Sequence, residues 1–416
     1  MFNYYKYRGE YFFSLYEYRN FHTISEEEAK SNSGKLYFLN RIEPLKSRQS
    51  YLINHPSLLF NREEGIHLLL LDNENYSSKV PNWIIEKINQ DMVISINTKY
   101  PNWENVLNLE TKRKWKINLL ALGDVGSTLA IGLRLLGEET IENIGIYDRN
   151  PNRLQRWEYE LNQIRKPFHE KAFPPVNIID KENLFNCDMF VFCASKGIPP
   201  VGSPVEDVRM AQFNSNSEII KEYAFLAREK NFKGIFAVVS DPVDLLCKVV
   251  FLESNKDENG DFDFKGLASN QIIGYGLGVM NGRASYYGEK SNETTHYLDE
   301  GRAFGPHGEG LIIANSIKNY NEELSNYLTE KTINANKEVR KLGYKPYVAP
   351  SLSSGALSII STIKGDWFYG STYMGEAYIG SKCRLKNNQI EIEQLPLPKA
   401  LFKKINNTYE RLVSII

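Results

Sequence analysis

Long apolar runs are absent from this sequence. No stretch reaches the roughly 18 to 20 consecutive apolar residues that a membrane helix needs, so no spanning segment is expected. Charge of one sign is missing too. With 50 Lys and Arg against 51 Asp and Glu, the formal net charge of −1 carries no nucleic-acid footprint. Cysteine is sparse: Cys187, Cys193, Cys247 and Cys383 show no metal-ligand spacing and read as free thiols in a reducing compartment. The N-terminus, "MFNYYKYRGEYFF", is aromatic and broken by charge, which does not read as a signal peptide. Together these absences predict a cytoplasmic protein with no membrane or nucleic-acid partner and no bound metal. No internal repeat or low-complexity tract is present. The 416 residues, 42% of them apolar, suffice for two or three domains around a sizeable core.

Histidine is also scarce, with six in the chain, and one of them has an odd mount. His307 lies in "GRAFGPHGEG", among four glycines and a proline. Taken alone, this is a turn that happens to hold a histidine.

The clearest boundary falls near residue 115. Beyond it, "WKINLLALGDVGSTLAIGLRLLGEETIENIGIYDRN" reads as a buried strand, a glycine turn, an amphipathic helix and a second strand ending in an acid. Further strands follow at "DMFVFCAS" and "FKGIFAVVSDP", with a helical stretch, "VRMAQFNSNSEIIKEYAFLAREKN", between them. Alternation of this kind predicts an α/β fold with a Rossmann-type doubly wound parallel sheet over residues 116–276. Residues 277–416 read as an α+β catalytic domain with long helices around 310–342 and 352–364, short antiparallel strands, and a final amphipathic helix over 397–415. Residues 1–115 form a small N-terminal α+β domain, with strands expected at "GIHLLLLDNEN" and "DMVISINTKY" around a helix, "NWIIEKIN". Ten of the first 21 residues are aromatic, a density read as core or interface packing, or as a surface for a partner.

In "LLALGDVGSTLA", Gly123 and Gly126 stand where a dinucleotide fingerprint has its second and third glycines, with Ala121 replacing the first. Gly123 lets the backbone approach a pyrophosphate, and Gly126 lets the helix pack on the strand. Asp148 follows Gly126 by 22 residues, where a carboxylate binds a ribose 2′-hydroxyl and disfavours a 2′-phosphate. The predicted cofactor is NAD, although Arg149 beside Asp148 leaves room for a phosphorylated form.

From residue 116 onward the chain resembles the lactate/malate dehydrogenase superfamily. The family's arginine seven residues before an asparagine is matched by Arg209 and Asn216 in "RMAQFNSN", and its "NPVD" by "DPVD", Asp241 to Asp244. Its substrate-carboxylate arginine is matched by Arg283 in "GYGLGVMNGR", and its catalytic-histidine loop by "GPHGEG". The resemblance implies that His307 is the general acid/base, that Arg209 polarises the substrate carbonyl, and that Arg283 grips a substrate carboxylate in a planar fork. It also implies cofactor contacts from Gly123, Asp124, Val125, Gly126, Asp148, Ala194 and Asn216, and a homo-oligomeric assembly. Residues 1–115 then look like an addition to the family's core.

Three departures from the family pattern stand out. The aspartate that orients the histidine is replaced by Met280, which removes the negative charge beside a protonated imidazole. The asparagine of "NPVD" is Asp241, a carboxylate gained near the same centre and a candidate partner for His307. The loop "KGIPPVGSPVED" is longer than usual, so Lys196, Glu206 and Asp207 become candidate substrate contacts. These changes point to an NAD-dependent oxidoreductase acting on a carbonyl or hydroxyl, or an imine or amine, in a substrate larger than lactate. The competing reading is an NAD-binding scaffold or sensor without turnover. A metal-dependent glycosidase on the same fold is disfavoured, because no cysteine–histidine pair could hold the metal.

Overall fold

The computed structural model describes residues 2–109, 112–196 and 208–416. Residues 3–97 build a six-stranded mixed sheet from β1 (Asn3–Tyr7), β2 (Glu10–Ser14), β3 (His22–Ile24), β4 (Leu36–Asn40), β5 (Ser50–Leu52) and β6 (Val93–Asn97), in the order β3-β1-β2-β4-β6-β5. Helices α1 (Glu26–Ser31) and α2 (Asn82–Asn89) belong to this region. Its strands are apolar on both faces. Tyr4, Phe13 and Phe38 join the main core, while Tyr5, Phe12, Tyr37 and Ile96 form a second cluster on the other face. The aromatic N-terminus is therefore core.

The second sheet has nine strands. Six are parallel: β7 (Trp115–Leu120), β8 (Ile141–Tyr147), β9 (Val176–Ile178), β10 (Met189–Phe192), β11 (Ile235–Val238) and β12 (Ile272–Gly274). They run β9-β8-β7-β10-β11-β12, the doubly wound order with its switch point between β7 and β10. All four residues of β10 and of β11 are buried, as strands covered on both faces require. Helices α3 (Asp124–Leu136), α4 (Pro151–Gln163), α5 (Val208–Glu229) and α6 (Val243–Ser254) connect these strands.

The rest of the chain adds α7 (Leu277–Gly288), α8 (Tyr297–Glu300), a small hairpin of β13 (Arg302–Phe304) and β14 (Ile312–Ala314), and α9 (Glu322–Lys341). A π-helical segment, Pro350–Leu357, leads into α10 (Ser358–Lys364). The strands β15 (Phe368–Tyr373), β16 (Tyr378–Lys386) and β17 (Gln389–Ile392) extend the large sheet beyond β12, each antiparallel to its neighbour, and α11 (Lys399–Ile415) closes the described chain with Leu401, Ile405 and Leu412 inward.

Two local expectations fail for identifiable reasons. "GIHLLLLDNEN" forms a 3₁₀ turn, Ile66–Leu69, and a single parallel bridge of Leu70 to Leu395, because its neighbour offers pairing one residue wide. The helix expected from 310 begins at Glu322, because 312–314 pair with β13 first. A larger finding is that the main core runs without a break from Phe13, Leu59 and Leu68 through Ile117 and Phe190 to Tyr378 and Ile392. Residues 1–115 share one core with the chain they precede.

Candidate active site

The nucleotide turn is built tightly. A Cβ on Gly126 would lie 2.0 Å from the Ala121 carbonyl oxygen, so the helix can only sit this close to the strand with glycine there. A Cβ on Gly123 would meet nothing within 4 Å, which leaves open space beside the N-terminus of α3. Ala121 takes φ +75, the left-handed conformation that a glycine would adopt freely. Asp148, buried at the end of β8, accepts the Leu122 N–H at 2.8 Å and the Asn150 N–H at 2.9 Å. Arg153 reaches the same carboxylate at 3.1 Å, a contact that the sequence reading missed. Arg149 turns to Glu222 at 3.7 Å. The tight turn, the open side at Gly123 and a buried acid tied to the turn fit a dinucleotide site.

The ends of β10 and β11 are stapled together. Asn216, fully buried on α5, accepts the Lys196 N–H at 3.1 Å and donates to the Asp241 carbonyl at 2.8 Å. Ser240 donates its hydroxyl to the Ala194 carbonyl at 2.6 Å. Asn216 thus fixes the backbone from which the Asp241 side chain projects.

The glycines around His307 have a structural use. Gly305, Gly308 and Gly310 have φ +90, +133 and +88, so the connection between β13 and β14 turns through left-handed backbone that other residues avoid. Gly305 donates its N–H to Gly380 of β16 at 2.9 Å, and a Cβ on Gly276 would lie 3.1 Å from the His307 Cβ. Pinned in this way, His307 places Nδ1 2.8 Å from Asp241 Oδ1. Its Nε2 is buried with no hydrogen-bond partner among the described residues. With Asp241 ionised, Nδ1 carries the hydrogen and Nε2 is the atom left to exchange a proton.

A cavity of about 200 Å³ holds this pair together with Gln212, Met280, Arg283, Ile333 and Asn336. Arg283 donates Nη2 to Asn336 Oδ1 and Nη1 to the Met280 sulfur at 3.7 Å. Burial pushes its pKa below the ordinary guanidinium value, and the charge of Asp241 opposes that shift. Larger hollows occur elsewhere. One of about 540 Å³, lined by Trp115, Lys116, Lys233 and Ile235, opens at the N-terminal ends of the parallel strands, whereas ligands of this fold bind at the C-terminal ends. Arg209 lies in the first turn of α5, but its side chain, like Glu206 and Asp207, falls outside the described set; Lys196 is exposed. Gln212 was missed, although its place one helical turn from Arg209 and from Asn216 could have found it. Asn336 was not, because nothing in the sequence tells that α9 faces α7.

Residues 115–262 match the family model for the lactate/malate dehydrogenase NAD-binding domain. The L-lactate dehydrogenase of Clostridium botulinum (strain Hall) is 25% identical over 271 residues, which cover 63% of this chain and 74% of that protein. That of Borrelia turicatae is 26% identical over 270 residues, 60% of this chain and 77% of its own. Among solved structures, the minor L-lactate dehydrogenase of Enterococcus mundtii aligns with a TM-score of 0.59 at 18% identity, over 74% of this chain and 98% of that one. The malate dehydrogenase of Aeropyrum pernix aligns with a TM-score of 0.59 at 16% identity, over 72% and 96%. The chain resembles the lactate/malate dehydrogenase superfamily over this segment and has its Rossmann-type fold. No helix among the described residues is long and apolar enough to cross a membrane.

Proposed function

We propose that this protein is an NAD-dependent oxidoreductase that interconverts a carbonyl and a hydroxyl, or an imine and an amine, next to a carboxylate. One observation carries the reading: the buried Nε2 of His307, without a partner among the described residues and with its ring held by Asp241, shares a cavity with Arg283 at the C-terminal ends of the sheet. NAD, held by Gly123, Val125, Gly126, Ala194, Asp148 and the backbone N–H of Asp124, supplies or accepts the hydride when bound. Reduction of a carbonyl places charge on its oxygen, and protonated His307 delivers the compensating proton from Nε2. Oxidation runs the proton the other way. Asp241 keeps the imidazole in one tautomer and orientation, the task that the residue at 280 cannot perform. Arg283, braced by Asn336, offers a planar donor pair to the substrate carboxylate. Arg209 is assigned the carbonyl oxygen by family position.

The described cavity suits the reacting end of a substrate, and the longer segment before Arg209 supports a remainder larger than that of lactate. NADH oxidation against a panel of 2-keto acids and 2-imino acids tests the reading, alongside a cofactor titration. Turnover with at least one substrate is expected. Tight NADH binding with no oxidation of any of them would favour a scaffold or sensor.

A further inference from the structure

We propose that Lys345 is an additional cofactor ligand, contributing its ammonium group to the phosphates at the N-terminus of α3. This rests on the reading that the Gly123–Gly126 turn binds NAD. The first residue of α3 is Asp124, an acid suited to a helix N-terminus when nothing else is there. A pyrophosphate at the same place brings two more negative charges, and a bare carboxylate would oppose it. Lys345 removes that conflict, with Nζ 2.9 Å from Asp124 Oδ2.

Three features argue that this pair does more than brace the fold. Both partners are exposed, Lys345 at 78% and Asp124 at 50%, and exposed pairs add little stability. An ammonium has three donors, so Asp124 leaves others for a phosphate. The neighbouring Gly123 faces open space. Lys345 comes from the segment between α9 and the π-helical stretch, beyond the residues 115–262 that match the NAD-binding domain, so that match does not include it.

The test is titration of the full-length protein with NADH and with ADP-ribose, which keeps the pyrophosphate but lacks nicotinamide. Wild type, Lys345→Ala, Asp124→Asn and the double variant are compared. Lys345→Ala is expected to weaken both ligands about tenfold, as loss of a charged hydrogen bond implies, and the loss should shrink at high salt. Asp124→Asn alone should bind at least as tightly as wild type, and the double variant should recover only part of the loss. Unchanged affinity in Lys345→Ala overturns the proposal. So does full recovery in the double variant, since Lys345 would then merely screen Asp124. Absence of NADH binding by wild type would instead overturn the cofactor reading itself.

Discussion

The two large sheets are both buried on two faces, yet they treat their polar groups in opposite ways. In the nine-stranded sheet, polar side chains gather where the parallel strands end. Asp148, Asn216, Asp241 and His307 cluster there, and one of their atoms, His307 Nε2, has no partner among the described residues. In the six-stranded sheet the buried polar groups are bonded to one another and to backbone. Asn40 donates to Ser95 at 2.8 Å, Asn97 to the Ile42 carbonyl at 2.7 Å, and Arg48 forks onto Glu64. The first arrangement keeps a reactive group available, and the second builds a brace.

The brace has a definite load. Arg48 also donates to the Ile390 carbonyl on β17, and a Cβ on Gly375, in the β15–β16 turn, would lie 2.0 Å from the Glu64 carbonyl oxygen. That hairpin in turn holds the His307 loop through the bond from Gly305 to Gly380. The N-terminal region therefore reaches His307 through one layer of structure.

The largest effect should come from separating the two regions. Deleting residues 1–115 is expected to yield an insoluble remainder, because the cut exposes the face now covered by Phe13, Leu59 and Leu68. A soluble, NADH-binding fragment would show that residues 116–416 fold alone, as the sequence suggested. Next comes Glu64→Ala, which strands a buried guanidinium; a loss of about 3–5 kcal/mol in denaturant unfolding is expected. If the loss is under about 1 kcal/mol, the pair behaves like an exposed one. Gly126→Ala should cost about 1–3 kcal/mol by forcing a methyl against Ala121, and should weaken NADH binding. The smallest effect has the opposite sign. Ala121→Gly relieves a left-handed alanine and should stabilise the protein by about 1 kcal/mol, read as a raised midpoint with an unchanged slope.

The same contrast explains what was legible beforehand. The strand, turn, helix, strand and acid from Trp115 to Asp148 are local, so spacing alone placed them. The pairing of His307 with Asp241 joins residues 66 apart, and it could be anticipated only because family position put both at one cleft. Asn336, Arg153 and the Gly305–Gly380 tie depend on how helices and hairpins settle in three dimensions, and no periodicity encodes that. In the N-terminal sheet β6 was expected within "DMVISINTKY", but β1 to β5 were illegible for a different reason. Its strands are apolar on both faces and rich in tyrosine, so neither a two-residue alternation nor a glycine-bounded run marks them.

The central claim is that Asp241 does for His307 what the residue at position 280 cannot. It is tested by single-turnover NADH oxidation in wild type and Asp241→Asn, using the best substrate found in the 2-keto acid and 2-imino acid panel, with NADH affinity measured in parallel. The account predicts a fall in rate of about 100-fold or more with cofactor affinity little changed, as expected when a general acid loses its orienting charge. A variant that oxidises NADH at the wild-type rate would contradict it.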